Sequence, residues 1–121
     1  MKIAYVIGPY RDATHDGVYW KIQRARLVAT RLWSLGFAVI CPHTNSSFMS
    51  GTADEEFFMR GYIEMISRVD LCVVVHGYED SEGSKAEIEE AGRHGIPVCY
   101  LCDGKTGFHV IEIGTGKEVE A

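Results

Sequence analysis

The chain has 121 residues, 46% of them apolar and 24% charged, with a formal net charge of −5. That is enough for one domain with a real core, and the balance is that of a folded protein. An acidic surface argues against a nucleic-acid polymer as partner, and no apolar run reaches the roughly 20 residues of a membrane span or forms a secretory leader, so a cytoplasmic chain is expected.

Lys2–Ile7 reads as a first strand and Gly17–Leu35 as a helix, with Ile22, Ala25, Ala29, Leu32 and Trp33 on one stripe and Lys21, Arg24 and Arg31 facing out. Gly36 stops it. Phe37–Cys41 is a second strand ended by Pro42, and 43–53, rich in Ser, Thr, Asn and Gly, reads as a loop. Asp54 is a good N-cap for a second helix presenting Phe58, Tyr62, Met65, Ile66 and Val69. Leu71–His76 is nearly all apolar and so a central third strand. A helix over 82–94 follows, then Gly95 as its stop and Ile96–Cys102 as a fourth strand. Phe108–Ile113 offers a final strand. The expected unit is a single domain over 1–121, with its core in 2–102 and a C-terminal extension at 103–121.

Strands alternating with helices imply a doubly wound parallel α/β sheet of four to five strands, in a flavodoxin-like arrangement with helices on both faces. Its functional crevice lies outside the carboxyl ends of the first and third strands. Gly8-Pro9-Tyr10-Arg11 and Ser81–Glu87 are the segments expected to line it. Cys41, Cys72 and Cys99 fall in or beside strands and read as small buried hydrophobes. Cys99 and Cys102, three apart on a strand, point to opposite faces and suit no shared metal. No metal or cofactor is expected.

Ser84, Ile88, Ala91 and Gly95 keep the spacing of a core-facing stripe, and Glu87 lies beside it. Two readings are open for Glu87: an inward carboxylate poised for chemistry near a helix N-terminus that keeps it ionised, or the partner of Ser84 in a capping box. Arg11 is either a solvated loop charge or a fork for phosphate, and Ser81, Gly83 and Ser84 either a simple cap or an anion cradle. His43, after the second strand, is a polar loop residue or a contact to base or ribose. Tyr10 and Phe48 either stack on a base or pack under the loop. There is no Walker loop and no dinucleotide glycine fingerprint. A carboxylate beside sugar-binding groups suggests displacement at an anomeric carbon, where an anion stabilises an oxocarbenium-like transition state.

The opening Ile3-Ala-Tyr-Val-Ile-Gly-Pro-Tyr-Arg11 resembles the first strand and loop of the nucleoside 2-deoxyribosyltransferase superfamily, which includes the deoxynucleoside 5′-monophosphate N-glycosidases. Ser81-x-Gly-x-x-x-Glu87 with Ala91 resembles its nucleophile-bearing helix, and Gly95-x-Pro97-Val98 the step into the next strand. Gly77-Tyr-Glu-x-Ser-x-Gly83 is similar to a small branch found in phages and bacteria. The resemblance implies Glu87 as nucleophile toward C1′ and Tyr5 as the residue that orients it. It also implies Arg11, Ser81 and Gly83 around the 5′-phosphate or the sugar hydroxyls, while Gly8 is read from its backbone freedom to turn sharply or approach a ligand closely. Serine at 81, where the transferases usually carry aspartate, favours a phosphorylated substrate. The superfamily's second catalytic carboxylate falls at Tyr62. Glu64 lies about 200° from it around the helix and Asp70 is too far along.

The leading expectation is therefore a hydrolase or transferase acting on a small nucleotide or nucleoside through Glu87. A non-catalytic nucleotide-binding or sensing module is the alternative, and a ligand-free structural domain the third. A homo-oligomer, most simply a homodimer, is expected around helix 54–69, because Phe57, Phe58 and Met59 cannot all be buried by one helix face.

Overall fold

The computed structural model describes residues 1–121. At its centre is β1 (Ile3–Ile7). Residues 4–7 are fully buried, since β1 has strands on both edges and helices over both faces. Alternation sorts its side chains. Ala4 and Val6 pack toward α1 (His15–Ser34), while Tyr5 and Ile7 pack toward α3 (Glu55–Ile66) and α4 (Glu82–Arg93).

The sheet runs in the order β2-β1-β3-β4-β5, with β2 at Ala38–Ile40, β3 at Leu71–Val74, β4 at Val98–Gly104 and β5 at Gly107–Glu112. This is the flavodoxin-like order, and it places β1 beside β3 at the topological switch. Four strands are parallel, but β5 is antiparallel to β4. Only Lys105 and Thr106 separate the paired Gly104 and Gly107, a connection that closes a hairpin and is too short for a crossover.

Several boundaries differ from the sequence pattern for local reasons. Thr14 caps α1 by accepting the Gly17 N–H at 2.9 Å, so the helix starts at His15. Pro97 has no N–H to give a ladder, and β4 begins after it. The expected loop opens with a short helix, α2 (Pro42–Asn45), which uses Pro42 at its first position. Gly36 and Gly95 follow α1 and α4 with φ of +100° and +66°, the left-handed conformation that ends helices. Ala25, Ala29 and Leu32 are the buried stripe of α1, but Trp33 turns outward, as does Met65 on α3. Arg31 does not face open water either. Its guanidinium lies 4.2 Å from the centre of the Phe108 ring.

Within 103–121, β5 completes the sheet and two side chains reach the core. Val110 is buried, and Val119 packs against the same cluster while its N–H donates to the Val110 carbonyl at 2.8 Å. All four cysteines are free thiols, with Cys41, Cys72 and Cys99 buried. No helix is long and apolar enough to cross a membrane.

Candidate active site

Tyr5 and Glu87 meet under α4. The Tyr5 hydroxyl donates to Glu87 Oε2, and both side chains are buried. The capping-box reading of Glu87 fails, because the N-cap is Ser81, whose Oγ accepts the Ser84 N–H at 3.2 Å. Glu87 lies one and a half turns into the helix, beyond the reach of the positive N-terminus. Burial dominates instead: it raises the Glu87 carboxyl from an ordinary 4.5 to about 7, and the Tyr5 hydrogen bond pulls the other way. The expectation that the helix end keeps Glu87 ionised is corrected accordingly. Burial first, and the adjacent carboxylate second, push the Tyr5 phenol far above its usual range, so it stays a donor. Cys72, the register neighbour of Tyr5 across β1 and β3, lies on the same floor. Burial, reinforced by the Glu87 charge, pushes its thiol up to about 12.

Above this pair stands the start of α4. The N–H groups of Glu82 and Gly83 have no partner along the helix, and Ser81 retains its hydroxyl hydrogen while capping Ser84. Ser84 is 1% exposed, and its Oγ has no hydrogen-bond partner. It faces inward one turn before Glu87.

The β1–α1 loop forms the other wall. A side chain at Gly8 would meet Val75 Cβ at 2.8 Å, so the loop crosses β3 at a distance only glycine allows. Pro9 packs toward Gly77, at the start of the turn that leads through Tyr78–Asp80 into Ser81. Tyr10 is half exposed and stands edge-on to His43. Arg11 sits on the rim, 80% exposed, paired with Glu55 at 2.6 Å. Its carbonyl accepts from Lys21 Nζ at 2.5 Å, and Lys21 also pairs with Asp12 at 3.3 Å. A side chain at Gly17 would fall 2.0 Å from the Asp12 carboxyl carbon, so that glycine makes room for the lock. His43 is not presented to a ligand. It is 6% exposed, and its Nε2 lies 3.1 Å from both the Gly8 and the Pro9 carbonyl oxygens.

Residues 17–100 match the family described as "Domain of unknown function (DUF4406)". The chain belongs to that family. No curated protein matches it in sequence. Among solved structures, a 2-deoxyribosyltransferase from the psychrotolerant bacterium Bacillus psychrosaccharolyticus is similar in fold. Its TM-score is 0.62 at 19% identity, over 81% of this chain and 70% of that one. At that identity the likeness establishes the shared α/β fold. The family match contains Glu87 and all of α4, and lies outside β1 with Tyr5 and Gly8.

No second carboxylate joins Glu87 in this DUF4406 chain. Glu64 is exposed and pairs with Arg68 at 2.7 Å, and Asp70 accepts the Ile3 N–H at 2.7 Å at the far end of the sheet. Tyr62 is buried, its hydroxyl 2.5 Å from Ser46 Oγ, with Asn45 Nδ2 donating to it at 3.3 Å. Sequence reasoning missed Cys72, the Asp12–Gly17–Lys21 lock and the His43 contact. For Cys72 the signal was present: alternation along β3 puts it on the face that Tyr5 occupies on β1.

Proposed function

We propose that the chain is an N-glycosidase or 2-deoxyribosyltransferase-like enzyme that cleaves the N-glycosidic bond of a nucleoside or deoxynucleoside 5′-monophosphate, with Glu87 as nucleophile. The observation that carries this reading is the buried Tyr5–Glu87 pair at the β1–β3 switch, with the carboxyl brought to about 7. A carboxyl raised in this way changes its charge near neutral pH rather than in the usual carboxylate range. The carboxylate attacks C1′, the C1′–N bond breaks, and its electron pair leaves with the base, which takes up a proton from solvent water. The resulting glycosyl ester on Glu87 passes its sugar to water or to a second base. Tyr5 fixes one oxygen of the nucleophile, leaving the other for the sugar.

The phosphate is held by Ser81, the free N–H groups of Glu82 and Gly83, and Arg11. Arg11 exchanges Glu55 for the phosphate at little expense, because an exposed ion pair contributes only about 0–1 kcal/mol. Gly8 and Ser84 line the approach, and Tyr10 borders the base.

A second reading is a nucleotide-binding module without turnover. It is favoured by Tyr62, which stands where the resemblance puts the second carboxylate and is packed into the core. Incubation with a panel of ribo- and deoxyribonucleoside 5′-monophosphates, followed by chromatography for free base, separates the two. Base release by wild type and not by Glu87→Gln supports the enzyme. Calorimetric binding without release supports the module, and neither result with any member of the panel defeats both.

A further inference from the structure

His43 sits on the α1 side of the sheet, away from Glu87, yet it grips the loop that borders the Glu87 crevice. Its Nε2 lies 3.1 Å from two consecutive backbone carbonyls, those of Gly8 and Pro9. Both are acceptors only, so Nε2 must carry the proton and share it between them. Nδ1 is then a bare lone pair, and it is buried with no partner in the protein. A second proton would have to go to that sealed nitrogen, and burial lowers the His43 value accordingly. The ring is thus a neutral donor held in one tautomer.

The contact lies where the two walls of the crevice meet. Gly8 has no side chain to keep it in place, since Val75 occupies that space, and a carbon placed there would be 3.6 Å from His43 Cε1. Pro9 packs toward Gly77, which leads to the start of α4. Tyr10 rests edge-on against the imidazole with ring centres 5.9 Å apart. α2 itself is anchored from the opposite face by Tyr62, through Ser46 and Asn45. The chain of contacts runs from Tyr62 through α2 and His43 to the loop carrying Tyr10 and Arg11.

We propose that His43 is a positioning residue, a single-tautomer clamp on the Gly8 and Pro9 carbonyls that fixes Tyr10 and Arg11 over the crevice and sets ligand affinity, not the chemistry at Glu87. The ligand part of this rests on the function proposed above; the clamp does not. His43→Leu keeps volume and removes the donor, whereas His43→Gln can return an N–H to nearly the Nε2 position.

Hydrogen exchange measured on peptides spanning residues 8–13 tests the clamp without any ligand. Exchange should rise in the Leu variant and return toward wild type in the Gln variant. Nitrogen NMR of wild-type His43 should show an Nε2–H imidazole whose titration lies below its ordinary range. For any 2′-deoxynucleoside 5′-monophosphate that the wild type binds, His43→Leu should weaken affinity about tenfold, the loss expected for one hydrogen bond, and raise KM with kcat nearly unchanged. Unchanged exchange in the Leu variant, a Gln variant no better than Leu, or an imidazole titrating near its ordinary value would each overturn the clamp. A wild type that binds none of the monophosphates removes the proposed function, and the exchange and NMR results still decide on His43.

Discussion

Burial lifts the Glu87 carboxyl from 4.5 to about 7, so rising pH acts on activity and stability with opposite signs. Between those values the folded protein holds a proton that the unfolded chain has released. Stability therefore falls as pH rises through this window, by ~3 kcal/mol in all, and levels off above it. Glu87→Gln removes the penalty. It should match wild type in urea denaturation at pH 4 and exceed it at pH 8, while abolishing base release. In wild type, kcat/KM for a cleaved monophosphate should climb with pH through about 7 as the nucleophile ionises. Tyr5→Phe deletes the hydrogen bond that holds the Glu87 value down, so this limb should move to higher pH. A hydrogen bond to a charged group contributes about 1.5–3 kcal/mol, so turnover at pH 7 should drop roughly 10–100-fold. A pH–rate profile that does not move in Tyr5→Phe would count against the pairing as the source of reactivity.

At the scale of elements, the β1 loop crosses close over Val75, just past the end of β3. Gly8→Ala should destabilise by about 1–3 kcal/mol, the usual effect of overpacking, as read from the urea midpoint. Val75→Ala should not rescue it, because the nearest atom is Val75 Cβ itself at 2.8 Å. The same region marks the limit of what the sequence revealed. β1, β3 and α4 were legible because burial on both faces leaves an unbroken apolar run, and an inward helix face repeats at 3.6 residues. Glu87 stood out against that repeat. The work of His43 was hidden, since the carbonyls it meets belong to residues 34 and 35 positions away and carry no side-chain signature. Arg11 was legible as a charge near the crevice but not as the partner of Glu55, which only the packing of α3 against the loop brings near. The antiparallel turn of β5 was equally hidden, because a strand pattern carries no direction.

For the whole molecule, one helix face buries neither all of Phe57, Phe58 and Met59 nor the loop before them. Phe58 and Met59 are half-buried, Phe57 is 58% exposed, and Phe48 stands clear of the surface with φ at +66°, a conformation unfavourable for an aromatic residue. Phe57 stays largely exposed beside residues 51–54, so we expect self-association through the α3 side. Sedimentation at micromolar concentration should give twice the 13.5 kDa chain mass, and Phe57→Glu should return it to 13.5 kDa. A wild-type mass of 13.5 kDa would remove the dimer. How such copies can join is narrowed by the returning C-terminal segment. Lys117 and Val119 bond along the outer side of β5 through the Glu112 N–H and the Val110 carbonyl, and β2 on the opposite margin is only three residues long. One margin of the sheet is thus occupied by the chain's own backbone and the other is too short to serve as a template. Folded copies are thereby steered from ribbon-like, edge-to-edge growth toward finite assemblies held by side chains.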